Sequence, residues 1–132
     1  MENKMFEKLN QVIENSSSKY YNYPVAAILE CSDGSLWPGV NVETSSPASG
    51  ICAERCAMFS AIANGYKKDD FKRIYLLNKT KNIITPCFIC RQALVDYCNS
   101  DLEIISFNNI GESKTYILSD LTPNSFREDD LN

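Results

Sequence analysis

Apolar side chains at Phe6, Leu9, Val12 and Ile13 recur on one helical face with polar residues between them, which predicts an amphipathic helix over residues 2–14, stopped by the polar run 15–18. Two apolar, strand-like runs follow, 25–29 and 36–42, and the Asp33-Gly34 pair between them predicts a hairpin. Small and turn-forming residues fill 44–50. The stretch 51–64 then carries Ile51, Ala53, Cys56, Ala57, Met58, Phe59, Ala61 and Ile62, so it reads as a helix apolar on nearly every side and expected to be buried among other elements. Residues 71–77 read as a strand, and Pro86 is placed to open a helix carrying Cys90, Ala93, Leu94, Tyr97 and Cys98. Two further strands are expected at 102–107 and 115–118. The order αββαβαββ fits a three-layer α/β domain better than a barrel or a bundle. No internal repeat or linker divides the chain, so one domain spanning 1–132 is expected.

Composition agrees with a single core. The chain has 132 residues, 44% of them hydrophobic, against roughly 100 to 200 residues for one domain. No apolar run reaches the roughly 18 residues of a membrane-spanning helix, and residues 1–10 mix charge with apolar side chains unlike a signal peptide. A cytoplasmic protein with no membrane partner is the expectation. The formal charge is −4, and the basic group Lys67, Lys68, Lys72 and Arg73 is interrupted by Asp69 and Asp70, which argues against a nucleic-acid surface and for a small, nearly neutral ligand.

Cysteine is the unusual component, with 6 Cys and no His. Three disulfides belong to exported chains; in a reducing compartment the thiols read instead as metal ligands, a reactive site or small buried apolar side chains. Two predicted helices begin alike. Cys52-Ala53-Glu54 places a thiol at the start of one, and Pro86-Cys87-x-x-Cys90 places two thiols one turn apart at the start of the other. A helix N-terminus favours a thiolate, and cysteines at i and i+3 share a face, the spacing that clamps a tetrahedral Zn²⁺. Cys52 can supply a third ligand, an arrangement that leaves a fourth position open. Cys56, one turn after Cys52, leaves a closed four-cysteine structural site as the alternative. Arg91 reads either as an exposed helix residue or as a structural contact beside a ligand.

These residues, with Asn41-Val42-Glu43, Arg55, Arg91-Gln92 and the closing Leu121-Thr122-Pro123-Asn124-Ser125-Phe126, resemble the small, homotetrameric, zinc-dependent cytidine deaminases, a likeness running from about residue 20 to 126. The resemblance implies a three-layer α/β/α cytidine-deaminase-like fold with a five-stranded mixed sheet, Zn²⁺ as the cofactor, a homotetramer, and hydrolytic deamination of cytidine and deoxycytidine in pyrimidine salvage. It implies Cys52, Cys87 and Cys90 as metal ligands and Arg55 as charge support to a ligand sulfur. Glu54 becomes the proton carrier between water, ring nitrogen 3 and the departing ammonia, as in zinc deaminases generally. Asn41 and Glu43, expected on one face of a strand, would hold the ribose hydroxyls. Tyr23, Ala53 and Phe126 would contact the substrate, Phe126 by closing over a site that can belong to a neighbouring subunit.

Tyr23, Ala26, Pro47 and Thr122 depart from the family's usual Phe, Gly, Tyr and Leu. Three other functions stay open at this point: deamination of another cytosine-bearing compound such as blasticidin S, a non-catalytic zinc-stabilised module, and a thiol-redox site at Cys87 and Cys90.

Overall fold

Five strands and four α-helices follow in the order α1 (Glu2–Ile13), β1 (Val25–Cys31), β2 (Leu36–Val40), α2 (Ala53–Ala63), β3 (Phe71–Asn78), α3 (Phe88–Tyr97), β4 (Glu103–Phe107), β5 (Ser113–Ile117) and α4 (Leu118–Leu121), in a computed structural model that describes residues 2–131. The strands form one mixed sheet ordered β2-β1-β3-β4-β5, in which only β3 and β4 run parallel. Successive strand residues point to opposite faces, and the core divides accordingly. Ala26, Ile28, Tyr75, Leu77, Ile105 and Phe107 pack under Met5, Leu9 and Ile13 of α1. Ala27, Leu29, Ile74, Leu76 and Ile104 meet Ala57, Met58 and Ala61 of α2 and Leu94 of α3 on the other side. The expected three layers are present.

Asp33-Gly34 forms the hairpin turn, with Gly34 at φ +88° and the Ser35 N–H donating to Asp33 Oδ1 at 2.9 Å. A second glycine has a larger consequence. Ala53, Ala57 and Ala61 lie at i, i+4 and i+8 on α2, all fully buried. Opposite them in β2 is Gly39, where a Cβ would stand 2.4 Å from both Ala53 O and Ala57 N. The missing side chain lets the first two turns of α2 lie directly on the strand.

Several expected boundaries shift. Ile51 belongs to a β-bridge with Val42 rather than to a helix, and Cys52 is the N-cap of α2. Pro86 precedes its helix by two residues, so Cys87 is the N-cap of α3. Strand β2 stops at Val40, which places Asn41 and Glu43 beyond it instead of on it. The last strand runs Ser113–Ile117, and α4, anchored by buried Leu118, was not anticipated within the tail. Finally, α2 is not buried all round: the sheet covers one side, and Phe59 on another is 40% exposed.

Candidate metal and substrate site

The site is assembled by a small crossing of three segments. Val42 pairs with Ile51 through reciprocal main-chain bonds, each 3.0 Å, closing the loop between them. Ser17 pairs with the same stretch from the other side: its N–H donates to Asn41 O at 3.1 Å, and its carbonyl accepts from Glu43 N at 2.7 Å. Gly50 makes the close approach possible, since a Cβ there would meet Val42 O at 2.6 Å. The crossing sets Asn41 and Glu43 beside the start of α2. A cavity of about 390 Å³ opens at this junction, and Tyr23, Asn41, Glu43, Cys52, Glu54 and Cys87 are among the residues lining it.

The sulfurs of Cys52, Cys87 and Cys90 lie within 4.8 Å of one another, with Cys52 and Cys87 3.6 Å apart. Two sulfurs each about 2.3 Å from a shared tetrahedral zinc stand about 3.8 Å apart, so the trio fits such an ion. Two helix N-termini carry it, because Cys52 caps α2 and Cys87 caps α3. The Cys52 thiol is drawn down to about 5 by hydrogen bonds from Cys90, Arg55 and Cys87, against the opposing effect of burial. The Cys90 thiol is pushed up by its bond to Cys52 and by burial. Arg55 Nη2 donates to Cys52 Sγ at 3.7 Å, and the guanidinium Nε is buried without a partner. That positive charge lies where three thiolates around a divalent ion leave a surplus of negative charge. Cys56 falls outside the sulfur group, so among the described residues there is no four-cysteine cage.

Glu54, in the first turn of α2, is 5% exposed and lines the cavity beside the sulfurs. Burial lifts its carboxyl to about 7, and the negative charge of Cys52 adds to the effect. In the metal-free chain the carboxyl therefore holds its proton more readily than an exposed one.

The sugar-facing candidates are already engaged by the protein. Asn41 Oδ1 accepts from Val25 N at 2.9 Å and from the Ser16 hydroxyl, and Asn41 Nδ2 donates to Tyr23 O at 2.8 Å. Glu43 Oε1 accepts the N–H groups of Tyr20 and Tyr21 at 2.9 and 2.8 Å. These bonds orient both side chains and leave one amide N–H of Asn41 and the second oxygen of Glu43 for a ligand. Tyr23 and Ala53 line the cavity, Ala53 fully buried. Phe126 does not line the cavity of its own chain; it is 56% exposed, and its carbonyl accepts from Gln92 Nε2 at 2.9 Å.

Three contributors escaped the sequence reading. Tyr21 and Ile89 border the cavity, and nothing in their local pattern marks them. Gly39 did carry a signal, since glycine inside a strand often marks a close backbone approach.

Residues 1–105 match the family model described as "Cytidine and deoxycytidylate deaminase zinc-binding region". A protein of Sporosarcina psychrophila named cytidine deaminase is 30% identical over 97% of this chain and 93% of its own length. A namesake from Halalkalibacterium halodurans is 33% identical over 92% of this chain and 91% of its own. The crystal structure of cytidine deaminase from Burkholderia pseudomallei superposes with a TM-score of 0.91 at 33% identity, covering 96% of this chain and 99% of that one. On a family model matched over most of its length and relatives 30% and 33% identical over more than nine-tenths of it, the chain belongs to the zinc-binding cytidine and deoxycytidylate deaminase family.

Proposed function

We propose that this chain is a zinc-dependent hydrolase that converts cytidine and deoxycytidine to uridine and deoxyuridine with release of ammonia, acting in pyrimidine salvage in the cytoplasm. The observation that carries the reading is the trio Cys52, Cys87 and Cys90 converging beside a buried Glu54 on one cavity wall. Those three thiolates would hold the ion, which when bound would supply a Lewis acid able to lower the pKa of a water toward neutrality. Arg55 offsets the excess negative charge of the sulfurs. Glu54 takes a proton from the attacking water and gives it to ring nitrogen 3, then takes the proton of the hydroxyl newly formed at carbon 4 and gives it to the amino group, which leaves as ammonia as the carbonyl forms. Its burial keeps the proton on the carboxyl long enough to be delivered rather than lost to solvent. Ala53 faces the base, Tyr23 flanks it, and Asn41 with Glu43 binds the sugar hydroxyls through the donor and acceptor left free by their own bonds to the chain.

Residues 1–132 act as one domain. We further propose a homotetramer in which Phe126 closes over a neighbouring subunit's cavity. The exposure of Phe59, Phe88, Ile89 and Phe126 supports apolar surface covered by copies of the chain. No described helix is long and apolar enough to cross a membrane.

The test is direct. Purified protein should carry about one zinc per chain and lower the absorbance of cytidine as uridine forms. Glu54→Gln should keep the metal and lose about 10²- to 10⁴-fold in turnover. Activity of Glu54→Gln within tenfold of the parent contradicts the role given to the carboxyl. Free cytosine, which leaves the remaining Asn41 N–H and the second Glu43 oxygen without a partner, should be a far poorer substrate.

A further inference from the structure

We propose that Arg91 is a positioning residue for the metal site, its guanidinium locking the segment 85–87 so that the Cys87 sulfur stays in register with those of Cys52 and Cys90. The inference rests on reading the trio as a zinc site. Of the three cysteines, Cys87 is the least held by its surroundings: it is exposed, whereas Cys90 is buried and Cys52 half-buried. It also ends a stretch, 79–87, that belongs to no helix or strand. Burial does not fix it.

Arg91 does, from the next turn of α3. Its main-chain N–H donates to Cys87 O at 2.9 Å, and its side-chain Nε–H donates to Pro86 O at 2.7 Å. Nη2 reaches Thr85 Oγ1 at 2.7 Å, and Nη1 reaches Leu121 O, at the end of α4, at 3.0 Å. Cys87 is thereby bracketed, its own carbonyl and the two residues before it all bonded to one arginine. Pro86 makes the bracket stiff, because its φ is fixed by the ring. The Phe88 ring lies 4.4 Å from the guanidinium carbon and covers one face of it, so water competes less for the donors. The planar fork aims its donors at these three acceptors in fixed directions; a lysine ammonium also has three donors, but they radiate from a single nitrogen on a flexible stem and do not span the same acceptors. Arg91 does not line the cavity, so it acts through Cys87 and not on substrate.

The experiment compares wild type, Arg91→Met, Arg91→Lys and Thr85→Val, stripped of metal by chelator under reductant. Each is titrated with Co²⁺ while thiolate-to-cobalt charge-transfer and d–d bands are recorded. Zinc affinity is measured by competition with a chromogenic chelator, and the melting temperature of the metal-free protein is read in parallel. Wild type is expected to bind about one Co²⁺ with the spectrum of a tetrahedral thiolate site. Both Arg91 variants should bind about 10- to 100-fold more weakly, with diminished charge transfer, and Thr85→Val should fall between. If Arg91→Met does not fold, Arg91→Lys carries the comparison. A role in folding alone would lower the melting temperature and leave the metal affinity of the folded fraction within about twofold of wild type. That result, or full rescue by lysine, overturns the proposal. Wild type that takes up no cobalt overturns the zinc reading itself, and this inference with it.

Discussion

Replacing Gly39 by alanine asks whether the contact between α2 and β2 sets the geometry of the site. The new Cβ would stand 2.4 Å from Ala53 O and from Ala57 N, and 2.9 Å from Ala57 Cα, where ordinary contact begins near 3.4 Å. All three atoms are backbone, so no side chain can swing aside and the first two turns of α2 must retreat by about 1 Å. Overpacking costs about 1 to 3 kcal/mol, and a rigid helix face as the obstacle points to the upper end. A loss of about 3 kcal/mol is a large share of the roughly 5 to 15 kcal/mol that holds a domain folded. The same turns carry Cys52 and Glu54, and a displacement of about 1 Å at a reacting group costs about 10²-fold in rate. Urea denaturation of the metal-free protein reads the first effect. Zinc content and cytidine turnover per folded molecule read the second. A Gly39→Ala protein within about 0.5 kcal/mol of wild type refutes the packing argument. One that is destabilised yet fully active per folded molecule refutes the claim that this contact positions the site.

Other substitutions separate the remaining roles. Cys56→Ala should keep about one zinc per chain and near-wild-type turnover, because its sulfur lies outside the trio; loss of metal on elemental analysis would restore the four-cysteine site. Asn41→Ala should destabilise even the ligand-free protein by about 2 kcal/mol, because Val25 N and Tyr23 O lose their partner, and should also raise the KM for cytidine. Burial pushes the Cys98 thiol up from 9.0 to about 12, so the fold favours its protonated form. Its contribution is intact below about pH 9 and is lost progressively as pH rises toward about 12. Stability measured at pH 8 and pH 10.5 should therefore fall by about 2 kcal/mol more in wild type than in Cys98→Ala, and equal falls would refute the assignment.

The layered fold is legible because each element declares its buried face locally. The α1 residues Leu9 and Ile13 sit at helical spacing and are buried, and the apolar run of β1 is buried on both faces, as a central strand requires. The metal site is legible for a related reason. Cys52 and Glu54 are two residues apart at one helix start, and Cys87 and Cys90 three apart at the other, so each pair's geometry is fixed within a single turn. What the sequence could not supply was the distance between the two helix starts, which depends on the parallel pairing of β3 with β4 and on the fit of α2 against Gly39.

The substrate side depends on long-range bonds that no local pattern announces. Asn41 and Glu43 were expected on a strand, yet β2 ends before them, because the Asn41 side chain, the Ser17 bridge and the Ile51 bridge replace the ladder beyond Val40. Their shared orientation toward the cavity survives for a different reason than strand alternation: Tyr20, Tyr21, Tyr23 and Val25 each bond one of the two side chains. The opposite case is α2. Its apolar sequence implies a helix enclosed on all sides, whereas the sheet encloses one side and leaves Phe59 40% exposed. Exposure in one chain counts only that chain's own atoms. On the proposed homotetramer, Phe59, Phe88, Ile89 and Phe126, which this chain leaves exposed, would be covered by other copies, and Phe126, which does not line the cavity of its own chain, would close over another's.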